Sequence, residues 1–247
     1  MPGLADLLAG DPPLVAASFE DVPPAALSVQ AAAAAGIDVH ELRVDRFPGA
    51  DPEDVARRVA AFAGRTTLLT VRSAGEGGDW RGPEALRLAL FRRLVPMVGG
   101  VDVELSAGPL VPEVVALARG EGRVVVVSFH DFGRTPSTGE LEDVVGRAVE
   151  AGADHVKVST LATGTDDVSR LAALTVRGAG PRAGLITIAM GAHGSLSRVF
   201  FPALGSRLTY ARVGLRPAPG QLPLAQTVAL LEQFYPGYAA RRRRAAG

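Results

Sequence analysis

Two stretches of the sequence, RVVVVSFHD at residues 123–131 and ADHVKVS at residues 153–159, decide the fold. Each contains the short apolar run of a buried strand. Between them, LEDVVGRAV at residues 141–149 has apolar residues at the three- and four-residue spacing of a helix. The same order of strand and helix repeats along the chain, which is typical of an α/β protein with a parallel sheet.

Eight candidate strands follow this pattern: Pro13–Ser18, Asp38–Val44, Thr66–Arg72, Val101–Leu105, Arg123–Phe129, Ala153–Ser159, Gly184–Met190 and Arg207–Val213. Eight strands with helical returns in about 250 residues predict a single (β/α)₈ TIM barrel over residues 1–240. A doubly wound open sheet is the competing architecture, but no glycine-rich nucleotide-binding motif follows the first strand. The arginine run at residues 241–244 predicts a disordered tail over residues 241–247.

The composition restricts the class of protein. Hydrophobic residues make up 47% of the chain, and 26 basic residues balance 26 acidic ones, so the strong positive charge of a nucleic-acid binder is missing. The absence of cysteine excludes a disulfide scaffold and a cysteine-ligated metal. No apolar stretch reaches the roughly 18 residues of a membrane span, and no signal-peptide pattern is present. We therefore expect a cytoplasmic protein that binds neither nucleic acid nor membrane.

The chain contains a single lysine, Lys157, among its 26 basic residues. Arginine replaces lysine wherever a surface cation is sufficient, but a guanidinium cannot become a neutral nucleophilic amine. The single lysine at position 157 therefore has two explanations: the protein needs an amine there, or the lysine persisted by chance. Its place in a candidate barrel strand favours the chemical interpretation.

Polar residues alternate with apolar ones in five of the candidate strands. Since successive side chains of a barrel strand point inward and outward in turn, the polar sets are expected inside the barrel. These sets are Glu41, Arg43 and Asp45; Thr70 and Arg72; Asp102 and Glu104; Ser128 and His130; and His155, Lys157 and Ser159. Buried charges are costly unless they are paired, so the pattern indicates a functional site rather than core packing.

The interior residues indicate carbonyl chemistry. Burial and neighbouring arginines are expected to lower the pKa of Lys157, which would provide a neutral amine that condenses with a ketone or aldehyde to an imine. A nearby base must then move a proton, and His130, at the end of the neighbouring strand, is the candidate. A metal is not expected, because no ligand spacing stands out. Arg198, after the seventh strand, is suited to bind a carboxylate.

Eight groups of short motifs are spread over nearly the whole chain. They are ELRVD at 41–45, TVRSAGEGG at 70–78, DVE at 102–104, SFHDF with TP at 128–136, DHVK at 154–157, MG with SR at 190–198, GS with TY at 205–210, and APGQ at 218–221. Each motif is moderately specific, but the ordered set is strongly specific. In this order the chain resembles the type I 3-dehydroquinate dehydratases of the shikimate pathway.

The resemblance implies a cofactor-free lyase, commonly a homodimer, that dehydrates 3-dehydroquinate to 3-dehydroshikimate. It implies that Lys157 forms a Schiff base with the ring ketone, that His130 is the general base and then the acid, and that Glu76 holds His130. Substrate binding is implied for Glu41, Arg43 and Arg72 at the ring hydroxyls, and for Arg198 and Gln221 at the carboxylate.

The sequence departs from the family pattern at two positions. Pro217 stands where the family usually has a serine, four residues before Gln221, so we expect weaker loop closure or weaker substrate affinity. Leu204 replaces a usual phenylalanine, which is a change in packing. Two alternatives remain: another Schiff-base barrel, such as a class I aldolase, and a metabolite-binding relic with little turnover.

Overall fold

The chain forms one sheet of eight parallel strands in the order β7-β6-β5-β4-β3-β2-β1-β8. The structure is a computed structural model that describes residues 3–11, 13–23, 27–48, 51–213 and 218–246. The strands are β1 (Leu14–Phe19), β2 (Val39–Arg43), β3 (Thr67–Thr70), β4 (Gly100–Glu104), β5 (Val124–Asp131), β6 (His155–Leu161), β7 (Gly184–Met190) and β8 (Leu208–Ala211). The predicted (β/α)₈ barrel is confirmed.

The sheet curls so that β7 and β8 approach each other. The Arg207 amide donates to the Leu185 carbonyl at 2.9 Å, and the Thr187 amide donates to the Ser206 hydroxyl at 3.0 Å. Few backbone hydrogen bonds among the described residues join β7 to β8, and the Ser206 hydroxyl, just before β8, adds a further hydrogen bond to β7. The barrel is therefore nearly closed.

Ten helices lie within the described residues. They are α1 (Leu4–Ala9), α2 (Val29–Ala35), α3 (Pro52–Ala60), α4 (Glu84–Leu94), α5 (Leu110–Gly120), α6 (Thr138–Glu150), α7 (Thr165–Arg177), α8 (Ser197–Phe200), α9 (Leu224–Phe234) and α10 (Pro236–Ala246). Pro52 is the first residue of α3, and Ser137 and Glu140 form a capping box at the start of α6. Pro83 is the N-cap residue of α4.

The barrel interior changes from apolar to polar along its axis. At the end where the strands begin, Leu14, Val39, Leu68 and Val124 pack together with Leu4 and Leu8 of α1, which covers this end. Gly100 lies so close to α1 that a Cβ atom there would come within 2.7 Å of Leu4. Helix α1 therefore closes one end of the barrel, and the polar residues are left at the other end.

The C-terminal arginines differ from the prediction of a disordered tail. Helix α10 continues to Ala246, and Arg241 and Arg242 both lie near the ring of Tyr238. The Arg241 guanidinium donates to the Pro13 carbonyl at 2.5 Å, and Arg242 pairs with Glu232 at 2.7 Å. The prediction was wrong because two of the four charges are satisfied by groups from other elements.

Candidate active site

A cavity of about 740 Å³ lies at the C-terminal ends of the strands. All eight residues that the sequence analysis singled out line it: Glu41, Arg43, Arg72, Glu76, His130, Lys157, Arg198 and Gln221. They come from β2, β5 and β6 and from the segments that follow β3, β7 and β8. Since active sites of such barrels lie at this end, the cavity is the candidate active site.

Lys157 lies on β6 with its side chain in the barrel, and the residue is only 4% exposed. Its Nζ is 3.0 Å from Asp102 Oδ2 and 3.5 Å from Glu41 Oε1. The same nitrogen lies 4.3 Å from the centroid of the Tyr210 ring. Two carboxylates and one aromatic face therefore surround this ammonium group.

The expected lowering of the Lys157 pKa is wrong. Burial does lower the pKa of Lys157, but the charges of Asp102 and Glu41 outweigh burial, and the net shift is upward. Arg72, the neighbour expected to repel the lysine, is itself paired with Asp102 and Glu104. In the ligand-free protein Lys157 is therefore an ammonium ion.

Asp102 connects Lys157 with Arg72. Its Oδ1 accepts hydrogen bonds at 2.6 Å from Arg72 and at 2.6 Å from the Ser128 hydroxyl, while its Oδ2 faces Lys157. Burial raises the pKa of Asp102, but the charges of Arg72 and Lys157 outweigh burial and hold the pKa well below its usual range. The aspartate therefore remains ionised and holds both cations in place.

Glu104 anchors this network to the outer helices. It accepts from Arg72 at 3.1 Å, and its other oxygen lies 2.5 Å from Nη2 of Arg87, a buried residue of α4. Arg87 also donates to the Val71 carbonyl at 2.7 Å. The Arg72 guanidinium is thus held by two carboxylates of β4 and, at 2.6 Å, by the Ser128 hydroxyl of β5, so it has little freedom to move.

His130 is held by Glu76 through two hydrogen bonds. Both the backbone amide and Nδ1 of His130 lie 3.0 Å from Glu76 Oε2, and the Ser106 hydroxyl donates to Glu76 Oε1. An ionised carboxylate only accepts, so Nδ1 carries the hydrogen and Nε2 keeps its lone pair. Burial, together with the charges of Arg72 and Lys157, lowers the pKa of His130 well below its usual value. His130 is therefore a neutral base.

Arg43 and Arg198 are bound differently in the ligand-free cavity. Arg43 makes a bidentate pair with Asp45, at 3.0 and 2.8 Å. Arg198 is 2% exposed and donates to the Pro219 carbonyl at 3.3 Å, while its Nε is buried without a partner among the described residues. Burial lowers the pKa of Arg198 to about 10, so it is still a cation at neutral pH. Arg198 is therefore ready to bind an anionic group.

Gln221 follows β8 and reaches the cavity beside Arg198. Its side-chain oxygen accepts from the Ala218 amide at 3.0 Å, which leaves the side-chain amide hydrogens for a ligand. The segments that follow β7 and β8 thus meet at this end of the barrel. Pro217 lies outside the described residues.

Three contributors to the site received no role from the sequence. The sequence indicated that Asp102 is an interior acid. Its position between Arg72 and Lys157 was not indicated, because it depends on contacts among three different strands. Tyr210 belongs to a quoted motif and follows the alternation of β8, which was a usable signal. Ser106 lies in a short turn after β4, and nothing in the sequence indicates its contact with Glu76.

The fold and the cavity define a (β/α)₈ barrel enzyme with a buried lysine, a neutral histidine and several arginines at its C-terminal end. The family model for type I 3-dehydroquinase matches residues 14–237. The chain belongs to this family, and its members dehydrate 3-dehydroquinate in the shikimate pathway.

Individual relatives agree with this assignment. A 3-dehydroquinate dehydratase from Methanosarcina barkeri is 40% identical over 212 residues, which are 81% of this chain and 87% of the relative. The crystal structure of the enzyme from Geobacillus kaustophilus has a TM-score of 0.80 at 29% identity and covers 92% of this chain and 93% of its own. The enzyme from Aquifex aeolicus has a TM-score of 0.78 at 30% identity, covering 90% and 99%.

None of the helices in the described ranges has the length and apolar character needed to cross a bilayer.

Proposed function

We propose that this chain dehydrates 3-dehydroquinate to 3-dehydroshikimate through an imine between Lys157 and the ring ketone. The observation that carries the proposal is the single lysine of the chain, buried at the C-terminal end of the barrel beside a neutral histidine. A protonated imine withdraws electrons and acidifies the neighbouring C–H bond. The reaction class follows from the family, and the covalent route is our inference.

His130 is the proposed acid–base group of the elimination. Its Nε2 lone pair takes the proton from the carbon next to the imine, and the electron pair moves toward the imine nitrogen as an enamine. The enamine then expels the hydroxyl group from the carbon next to the deprotonated one. This group leaves as water with the proton that His130 had taken. Water then hydrolyses the product imine, so that Lys157 is regenerated and one water molecule is lost overall.

Substrate binding is proposed for the remaining cavity residues. Arg198 has an unused buried N–H, and together with the free amide hydrogens of Gln221 it is suited to hold the substrate carboxylate. Glu41, Arg43 and Arg72 line the same cavity and are proposed to bind the ring hydroxyls. With the ring held at both ends, the ketone would be presented to Lys157.

Reduction with borohydride in the presence of 3-dehydroquinate tests the imine. We expect one reduced adduct per chain, measured by intact mass, and peptide mapping should locate it at Lys157, because the only other primary amine is the N-terminus. Borohydride without substrate is the control and should leave the mass unchanged. An unchanged mass with substrate, in an enzyme that still turns over, contradicts the imine mechanism.

Protonation of Glu76 should set the acidic side of the pH profile. Burial raises the pKa of Glu76 to about 6, although the Ser106 hydrogen bond and the charge of Arg72 oppose this shift. Below that pH the protonated carboxyl donates instead of accepting, and the tautomer of His130 with a free Nε2 is lost. We expect kcat/KM to fall below about pH 6 in the wild type.

The variant Glu76→Gln removes this titration. Its kcat should be lower than that of the wild type, but by less than in a variant that lacks His130, and the decline near pH 6 should disappear. Asp143→Asn, at a 62% exposed side chain of α6, is the matched control and should keep the wild-type profile. A decline near pH 6 that survives in Glu76→Gln would assign it to another group.

The alternatives are less well supported. The family assignment favours dehydration over a class I aldolase reaction. The relic with little turnover was inferred from Pro217 alone, whereas the lysine, histidine and glutamate are all present. A homodimer remains a proposal that rests on the resemblance, and a cytoplasmic location remains a proposal that rests on the composition. Exposed apolar side chains on the helices, such as Val176, Phe200 and Phe234, are compatible with a subunit interface.

A further inference from the structure

Tyr210 is a cavity residue that the mechanism above does not use. It lies on β8 opposite Ala16 of β1, faces the barrel interior and is 5% exposed. Its ring covers Lys157 Nζ at 4.3 Å from the centroid, and it lines the same cavity as His130. The residue is therefore next to the nitrogen that attacks the ketone.

The Tyr210 hydroxyl is buried, and no acceptor for its hydrogen lies in the part of the chain that the structure describes, while Lys157 is placed to donate to its oxygen. The nearby ammonium can only donate, so Lys157 could engage the hydroxyl oxygen but not its hydrogen. Burial raises the pKa of Tyr210, and the hydroxyl keeps its hydrogen at neutral pH. A buried donor without an acceptor is uncommon in folded proteins, and because Tyr210 lines the cavity, a bound ligand can accept this hydrogen.

The protonation state of Lys157 defines what such a donor could do. A ketone and an ammonium ion give a protonated imine and one water molecule, so no external base is needed. Two of the three hydrogens on Nζ must, however, move to the ketone oxygen before that oxygen leaves. Asp102 and Glu41 hold the ammonium as acceptors of its hydrogen bonds, and the oxygens of Glu41 also accept from Ser18 and Thr70, so neither group is placed to supply a proton to the ketone oxygen.

We propose that the Tyr210 hydroxyl relays protons from Lys157 Nζ to the ketone oxygen during imine formation. The hydroxyl oxygen accepts a proton from the nitrogen while its own hydrogen passes to the substrate oxygen. As the C–N bond forms, the π electrons of the carbonyl move to that oxygen. A second transfer in the same direction releases the oxygen as water, the nitrogen lone pair completes the C=N bond, and Tyr210 ends each transfer neutral. This proposal rests on the imine mechanism and deepens it.

The variant Tyr210→Phe tests the relay, because it keeps the ring over Lys157 and removes only the hydroxyl. Enzyme and 3-dehydroquinate are mixed, samples are quenched with borohydride at increasing times, and the adduct is followed by intact mass. We expect adduct formation about 10²-fold slower than in the wild type, as for the loss of an acid–base group. Product should then appear no faster than the adduct. Adduct formation at the wild-type rate would overturn the relay.

Tyr238→Phe is the matched control. Tyr238 is 2% exposed and its hydroxyl is also buried without a partner among the described residues, but it packs between α10 and the outside of the barrel and does not line the cavity. This variant should form the adduct at the wild-type rate. An equal loss in both variants would assign the effect to packing and contradict the relay.

One further result separates the possible failures. If the wild type forms no adduct at all, both the imine and the relay are wrong, whereas equal rates in wild type and Tyr210→Phe overturn the relay alone.

Discussion

Lys157→Arg is expected to abolish turnover while the protein remains folded. A guanidinium keeps the positive charge beside Asp102 and Glu41 but cannot form an imine. Removing the charge altogether, as in an alanine variant, would leave the buried Glu41 without its cation and Asp102 with Arg72 alone, and breaking a buried ion pair typically costs about 3–5 kcal/mol of stability. Arginine therefore separates loss of chemistry from loss of fold better than alanine does.

The measurements for this variant are steady-state dehydration, borohydride trapping and thermal unfolding. We expect activity at the background of the assay, no borohydride adduct and a melting temperature near that of the wild type. Arg92→Lys is the control. It makes the reverse exchange, arginine to lysine, at an exposed position of α4 and so introduces a surface lysine. Substrate-dependent trapping should still map to Lys157 in that control. Substantial turnover by Lys157→Arg would exclude covalent catalysis.

His130→Ala is expected to lower the rate of elimination by about 10²–10⁴-fold, the range for loss of a general acid–base group. The imine should still form, because the alanine variant retains Lys157 and Tyr210. Borohydride should therefore trap a substrate adduct even though product formation is slow. This combination of an intact covalent step and a defective elimination is the signature of a base that acts after the imine.

The control for this variant is His193→Ala, which removes an exposed imidazole that does not line the cavity. It should turn over like the wild type. Near-normal kcat in His130→Ala would remove this histidine from the mechanism. A variant that neither traps substrate nor turns over would place the role of His130 before the imine instead.

Much of the fold could be predicted from hydrophobic periodicity. The seventh strand was predicted with the bounds that the structure has, Gly184–Met190, and the other strands were placed within a few residues. Strand ends were less accurate because hydrogen bonding and not hydropathy decides them: β5 continues through His130 to Asp131, beyond its apolar run. The C-terminal helix was missed because its arginines form bonds with residues far away in the sequence.

The residues of the candidate site were predicted about as completely as the strands of the fold. The alternation of polar and apolar residues placed Arg72, His130 and Lys157 inside the barrel, and all of them line the cavity. The contacts between them could not be predicted, because they join residues 30 or more positions apart, such as Glu76 with Ser106 and with His130. The position of the Tyr210 ring over Lys157 likewise exists only when the barrel closes and brings β8 near β6.

The sequence by itself determined the barrel, the inward direction of Lys157 and the residue types that surround it, since side-chain alternation is a local property of each strand. Only the tertiary structure decided the charge of Lys157. Local reasoning counted nearby arginines and predicted a lowered pKa, but the pKa depends on distances across strands. Asp102 of β4 and Glu41 of β2 lie 3.0 and 3.5 Å from Nζ, while Arg72 is paired elsewhere. Coulomb energy depends on separation in space and not along the chain, so the sign of the shift was set by the folding of the barrel.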